Sequence, residues 1–311
     1  MAASTSETGD RDGKRRPAAS GKSSPLSAVI VTYNSSDVLS GLLDSLPAGL
    51  EGIDDVEVIV VDNASSDRSV EIALSHPVGV RVIQTGRNAG YSAGINAATD
   101  TIGTGRNVLV LNPDVRLHPG AGRILNERLN DPSVGIVAPQ IFDEDGSVNR
   151  SLRREPSLVT AWADALTGAK FAARLGVSEV VERPALFEEG GTVEWACGAI
   201  LAISARARQA VGNWDESFFL YSEEVDYQER VRRSGFSIVY DTTAKCMHIG
   251  GDIQNNAFLC KLMSANRIRY YRRRHGPVAT ALFRSAIVVG GVMRFPLGLR
   301  HRAALIGALT A

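Results

Sequence analysis

Between Leu26 and Leu111 short apolar runs alternate with amphipathic stretches. Leu26–Val31, Val56–Val61 and Val80–Gln84 predict strands, and Val108–Leu111 is a continuous apolar run, which predicts a strand buried on both faces. Between them Val38, Leu39, Leu42, Leu43 and Leu46 recur at helical spacing, then Val70, Ile72, Ala73 and Leu74, then a stretch from about Ser92 to Thr99. Ser35-Ser36-Asp37 and the Asp62–Asp67 run supply caps for the first two of these helices. Regular alternation of strand and helix predicts an α/β fold with a mostly parallel sheet, right-handed crossovers and helices on its faces. Each strand ends in a polar cluster: Thr32-Tyr33-Asn34, Asp62-Asn63, Gly86–Tyr91 and Asn112-Pro113-Asp114. In a parallel sheet these ends share one edge, the edge where open α/β sheets bind ligands. Pro113 has no N–H and stops its strand, which presents Asp114 just beyond. A carboxylate there can hold a hard divalent cation completed by phosphate oxygens and water, although N-P-D is also a good turn.

The second half is less regular. Gly135–Pro139 predicts a short strand, Phe142–Gly146 a turn, and Arg150 to about Glu189 a mixed helical stretch. Thr192–Ser204 is an apolar run broken by Gly198, which suits a strand with a close backbone approach. Ser222 is a candidate N-cap for a helix that carries acids in its first turn and stops at Gly235. Ser237–Tyr240 predicts another strand, and Leu262–Arg274 a helix broken by Gly276-Pro277.

Composition narrows the function classes. The chain has 311 residues, 44% hydrophobic, with 34 basic and 34 acidic side chains. That suits a globular domain of residues 26–252 with appendages. Residues 1–25 are Ser/Ala/Gly/Lys/Arg-rich, lack an apolar signal-peptide core and predict a disordered tail. Cys197, Cys246 and Cys260 have no C-x-x-C spacing, which argues against a disulfide framework or zinc site and for a cytoplasmic, reducing compartment. No acidic residue follows Asp252, while Lys261, Arg267, Arg269, Arg272, Arg273, Arg274, Arg284, Arg294, Arg300 and Arg302 do. Segment 253–311 therefore predicts a basic helical appendage on the inner face of an anionic membrane, or a helix packed on the domain with a solvated basic face. Its apolar stretch is interrupted by Arg284 and falls short of the ~20 residues a spanning helix needs. No nucleic-acid motif accompanies the charge. The first turn, TYNSSD, lacks the glycines of a dinucleotide fingerprint, and there is no phosphate loop of the G-x-x-x-x-G-K-[ST] type.

The segments V-I-V-T-Y-N (29–34), V-V-D-N-A-S-S-D (60–67), G-R-N-A-G-Y-S-A-G-I-N (86–96), N-P-D (112–114), G-N-W-D-E-S-F-F-L-Y-S-E-E-V-D-Y (212–227) and H-I-G-G (248–251) stand in order. Together they resemble the inverting glycosyltransferases of family 2, which include bacterial rhamnosyltransferases and galactofuranosyltransferases of cell-surface polysaccharides. The resemblance implies a GT-A fold, a dTDP- or UDP-sugar donor, best matched by dTDP-rhamnose, and a divalent metal, Mg2+ or Mn2+. It implies as acceptor a lipid-linked saccharide or growing polysaccharide. On the donor side it matches Thr32, Tyr33 and Asn34 to the cradle for base and ribose. Asp62 matches the acid that accepts the N3–H of uracil or thymine, and Arg87 and Asn88 the approach to ribose and phosphates. Asp114 matches the last acid of the D-x-D motif, whose first acid is here Asn112, and His248 a position that helps hold the metal. Glu224 matches the catalytic base, where many relatives carry Asp. Trp195, Gly198 and Asp226 fall on the acceptor side; Trp195 and Trp214 suit the core equally. Inverting transfer is a single displacement, so a carboxylate must take the acceptor hydroxyl's proton. A sugar-nucleotide pyrophosphorylase and a non-catalytic sugar-nucleotide-binding module are the competing readings. The first would need a Gly- and Arg-rich loop after the first strand.

Overall fold

Residues of the first strand show why the sheet is buried on both faces. β1 (Leu26–Thr32) is followed by α1 (Ser36–Gly49), β2 (Val56–Asp62), α2 (Ser69–Ser75), β3 (Arg81–Gln84), α3 (Tyr91–Thr99) and β4 (Asn107–Leu111). Ala28 and Ile30 of β1 pack with Leu39, Leu42, Leu43 and Leu46 of α1, whereas Val29 and Val31 pack with Ile95 and Ala98 of α3. Successive side chains point to opposite faces, so each face of the strand needs its own helical cover. β4 behaves alike, with Leu109 and Leu111 on the α1 face and Val108 and Val110 on the α3 face. This is a computed structural model, and it describes residues 23–250 and 256–311.

The chain continues through β5 (Val115–Leu117), α4 (Ala121–Arg128), β6 (Val134–Phe142), β7 (Leu152–Arg153), α5 (Leu158–Thr167), α6 (Ala169–Arg174) and α7 (Pro184–Glu189). It then runs through β8 (Gly191–Val193), β9 (Trp195–Ala196), β10 (Ile200–Ile203), α8 (Ala205–Val211), α9 (Glu223–Arg233) and β11 (Ser237–His248). The main sheet has the order β3-β2-β1-β4-β10-β6-β11-β5, with β8 paired to β11. β3, β2, β1 and β4 run parallel, so the expected common edge of strand ends is present. β10 is antiparallel to both its neighbours, so the sheet is mostly rather than wholly parallel. The break at Gly198 divides the predicted Thr192–Ser204 run, and only Ile200–Ile203 enters the sheet centre. β11 is three times longer than the predicted Ser237–Tyr240 and absorbs the excess in an irregularity between Asp241 and Lys245. It ends at His248, back at the edge where β4 ends.

Ser23–Pro25, placed in the expected N-terminal tail, are tied to the domain: Asp54 N–H donates to Ser23 Oγ and Asn107 N–H to the Pro25 carbonyl. The rest of that tail, and the expected boundary at 252/253, lie outside the described residues. The C-terminal segment forms α10 (Ala257–Arg272), α11 (Pro277–Met293) and α12 (Leu299–Thr310). Ile268, Tyr271, Phe283, Ala286 and Ala308 pack with Ala161 and Ala165 of α5. Arg269 and Arg273 reach Ser217, Arg273 pairs with Asp215, and Arg274 pairs with Asp226 and Glu229. Much of the predicted basic face of α10 is thus turned onto the domain, while Lys261, Arg272, Arg300 and Arg302 stay exposed. Among the described residues no helix is long and apolar enough to cross a membrane.

Candidate active site

Side chains lace the ends of β1, β2 and β3 into one rim. Asn34 adopts a left-handed backbone (φ 51°), its N–H donates to Ser65 Oγ at 2.8 Å, and its Oδ1 accepts the Ser66 N–H at 2.8 Å. Asp62 is 2% exposed and accepts the Ser65 N–H at 3.1 Å. Asp67 accepts from Ser36 N–H and from the N–H and hydroxyl of Ser69. Burial pushes its carboxyl up, but those hydrogen bonds outweigh burial and lower it to about 2. Asn63 Nδ2 donates to the Gly90 carbonyl at 2.9 Å, and Asn88 Oδ1 accepts the Gly90 N–H. Arg87 is exposed on this rim, Tyr33 is 50% exposed, and Thr32 Oγ1 is buried without a hydrogen-bond partner.

Asp114 and His248, far apart in sequence, meet at this edge. His248 Nε2 lies 3.2 Å from Asp114 Oδ1, and the Gly250 N–H donates to Oδ2 at 3.2 Å. Burial raises the Asp114 carboxyl, yet His248 and the Gly250 N–H hold it below its ordinary value. Oδ1 is buried and has no aligned hydrogen-bond donor. An anionic oxygen beside an imidazole nitrogen suits a divalent cation that draws its other ligands from phosphate and water. Among the described residues no group of three or more His, Cys, Asp or Glu could hold a metal by itself. Asn112 stands at the strand end, where its N–H donates to the Ala199 carbonyl.

The opposite wall is the 218–222 loop and the start of α9. Tyr91 N–H donates to the Phe219 carbonyl at 2.9 Å. Gly90 (φ 93°) lies so close that a Cβ there would sit 2.2 Å from that oxygen. The Tyr91 hydroxyl donates to the Gly198 carbonyl at 3.3 Å, and a Cβ on Gly198 would be 3.2 Å from Glu224 Cβ. Asn96 ties the two longest motifs together: its Nδ2 donates to the Trp214 carbonyl and its Oδ1 accepts the Trp214 N–H, each at 2.9 Å. Tyr221 (φ 68°) and Ser222 (φ 73°) are left-handed, and with Asn34 and Ala64 they complete the non-glycine residues of positive φ among those described. All four border this site, and such backbone strain concentrates where function requires it. Ser222 does precede α9, but its side chain makes no capping hydrogen bond.

Glu224 opens into a cavity of about 320 Å3. Arg153, Asp164, Glu179, Trp195, Arg267 and Tyr270 are among its lining residues. Burial raises the Glu224 carboxyl, opposed by the N–H groups of Glu224 and Ser222 and by Arg153. Glu223 is raised further, by burial and by the Glu224 charge. One oxygen of each, and one of Asp164, is buried without a hydrogen-bond partner. The buried Tyr91 hydroxyl is raised by burial first, then by Glu223, Cys197, Asp114 and Glu224. Tyr91 joins the donor edge to the α9 wall through its N–H on the Phe219 carbonyl and its hydroxyl on the Gly198 carbonyl. Trp195 lines the cavity while its Nε1 donates to the Arg154 carbonyl. Asp226 is not brought there: Arg230 and Arg274 hold its two oxygens. Trp214 is 4% exposed and stacks on Tyr227 in the core. Sequence reasoning did not find Arg153, Asp164, Glu179 or Arg267, which lie in the weakly patterned 150–189 stretch or in the basic tail.

The model of glycosyl transferase family 2 matches residues 27–183. The chain is 32% identical over 234 residues to the N-acetylglucosaminyl-diphospho-decaprenol L-rhamnosyltransferase of Mycobacterium tuberculosis, covering 72% of this chain and 75% of the relative. It is 29% identical over 218 residues to the low-salt glycan biosynthesis hexosyltransferase Agl10 of Haloferax volcanii, covering 68% of this chain and 63% of that one. Among solved structures, a mannosyltransferase of Pyrobaculum calidifontis in complex with GDP-Man and Mn2+ superposes with a TM-score of 0.59 at 14% identity, over 93% of this chain and 86% of that one. S. aureus TarS in complex with UDP superposes with a TM-score of 0.52 at 14% identity, over 91% and 88%. The fold is that of the GT-A glycosyltransferases.

Proposed function

The chain belongs to glycosyltransferase family 2, and from that premise we propose that it is an inverting, metal-dependent transferase. Its donor is a dTDP- or UDP-sugar, dTDP-rhamnose foremost, and its acceptor a lipid-linked saccharide or polysaccharide. One observation carries this reading: residues 198–199 lie between the Asp114–His248 pair and Glu224, since Asn112 beside Asp114 donates its N–H to the Ala199 carbonyl and Gly198 stands against Glu224. Asp62 accepts the N3–H of the base, and Thr32, Tyr33, Asn34, Arg87 and Asn88 line the way to ribose and phosphates. Asp114 and His248 would hold Mg2+ or Mn2+, which when bound neutralises the leaving nucleoside diphosphate as a Lewis acid. Glu224 takes the proton of the acceptor hydroxyl as its oxygen attacks the anomeric carbon from the opposite face. Gly198 lets Glu224 stand close to the strand end, because a side chain there would crowd it.

The enzyme works as a peripheral protein on the cytoplasmic face of the membrane. Supporting this are exposed apolar side chains on the C-terminal segment, Val278, Val292, Met293, Leu297, Leu299 and Leu309 among them, beside exposed Arg300 and Arg302. The deciding experiment is turnover of a panel of dTDP- and UDP-sugars with a lipid-linked acceptor, with divalent metal and with chelator. Transfer from dTDP-rhamnose only with metal, and an inverted anomeric centre by NMR, is the expected result. Retention of configuration, or undiminished transfer in chelator, overturns the mechanism.

A further inference from the structure

The cavity beside Glu224 is lined by two arginines for which the reaction above gives no ligand. Arg153 donates only to the carbonyls of Arg150 and Leu152, and among the described residues no carboxylate lies within ion-pair distance of it. Arg267 pairs with Glu179 through Nη2, and its Nε is buried without a hydrogen-bond partner. Guanidinium groups with free donors in a part-buried wall are strong binders of phosphate oxygens, which they grip in bidentate fashion. The other lining groups divide by chemistry. Asp164 Oδ1 is an unpartnered acceptor suited to a sugar hydroxyl, and Trp195, Val225, Met263 and Ala169 are apolar. The helices that contribute Asp164, Ala169 and Met263 also expose Leu166, Phe171 and Phe258. A ligand with a sugar, a phosphate linker and an apolar chain meets each of these surfaces in turn.

We propose that Arg153 and Arg267 form the subsite for the phosphate linker of a lipid-linked acceptor, and that binding draws Arg267 away from Glu179. This assignment rests on the transferase reading above. It makes the two arginines specificity-determining residues: they hold the linker so that the sugar hydroxyl reaches Glu224.

The test is calorimetric titration with a short prenyl diphosphate, the matching prenyl alcohol and inorganic pyrophosphate. UDP and Mg2+ in excess keep the donor edge filled, and Trp195 fluorescence serves as a second readout. The prenyl diphosphate should bind at least tenfold more tightly than either other probe. Arg153→Gln and Arg267→Gln should each weaken it by roughly tenfold to a hundredfold, the scale of lost charge-assisted hydrogen bonds. Arg272→Gln, on an exposed position of α10, should not. Unchanged UDP affinity in the variants shows that they are folded. Equal binding of diphosphate and alcohol, or full affinity in the double variant, overturns the subsite. Pyrophosphate binding as tightly as its prenyl ester overturns the lipid assignment. Failure of every sugar nucleotide in the transfer assay would strike the transferase reading, whereas transfer without this discrimination strikes only the subsite.

Discussion

Glu223 and Glu224 are neighbours in sequence held in different electrical surroundings. Both are raised by burial, but two N–H groups and Arg153 pull Glu224 back, whereas the Glu224 charge pushes Glu223 further up. That opposition favours the ionised form of Glu224, the form the proposed base needs. Glu224→Gln should lower kcat by roughly 10²–10⁴, with little change in donor affinity by calorimetry, and the acidic limb of the wild-type pH–rate profile should lie above the ordinary glutamate value of 4.5. Normal turnover by that variant would remove Glu224 from the chemistry. For Glu223 the sign is the opposite of the usual salt-bridged acid. Its raised value means that the folded chain holds a proton which the unfolded chain releases above 4.5, so stability drains away as pH rises from there toward the raised value. Glu223→Gln should accordingly raise the Tm more at pH 8 than at pH 4.5; an equal gain at both refutes the assignment. Asp62→Ala should weaken dTDP or UDP binding by about 1–3 kcal/mol, the scale of a lost buried hydrogen bond; unchanged affinity by calorimetry argues that Asp62 only closes its turn onto Ser65. Asp62, Asp114 and Glu224 are legible in the sequence because each stands where a strand stops or a helix starts. Arg153 and Glu179 are not, because nothing periodic surrounds them, and their place beside Glu224 is set by long-range packing.

At the scale of elements the first half reads almost directly from the chain. Its central strands β1 and β4 are buried on both faces and its first helix carries one apolar stripe, so local pattern and final packing agree. The second half is harder because β7, β8 and β9 are two or three residues long, too short to show a period, and because β10 enters the sheet antiparallel. The C-terminal arginines mislead for another reason: charge that reads as a solvated face is spent on the acids of α9 and the 215–217 turn. Arg274→Met should cost roughly 1–3 kcal/mol, since Asp226 and Glu229, whose side chains are 6% and 8% exposed, lose their shared cation and keep only Arg230 and Arg233. A urea midpoint like that of the wild type would show the network to be idle. The contact between Gly90 and Phe219 is as strict. Gly90→Ala meets both a left-handed backbone and a carbonyl in the way, and should reduce transfer and thermal stability together, whereas Gly103→Ala, with open space around it, should change neither.

Across the whole molecule, the site is assembled from pieces of chain that only the fold brings together: three strand ends from the first third, Asp114 and His248 from the paired β5 and β11 edge, and a wall contributed by the tail. Exposed apolar side chains and exposed basic ones share the C-terminal segment, so the protein should float with vesicles containing anionic lipid and stay down with neutral ones. Equal behaviour toward both would put the membrane contact in doubt. Arg274 joins α10 to α9 through Asp226 and Glu229, and Asn266 Nδ2 donates to the Leu220 carbonyl just ahead of Glu224. If the tail rests on a bilayer, that rigid coupling turns the enzyme into a ruler. Glu224 rides at a set height above the lipid, and only a hydroxyl at that height can be deprotonated. Each added sugar carries the chain end out of reach, so mass spectrometry of the product should show one sugar gained and then a halt.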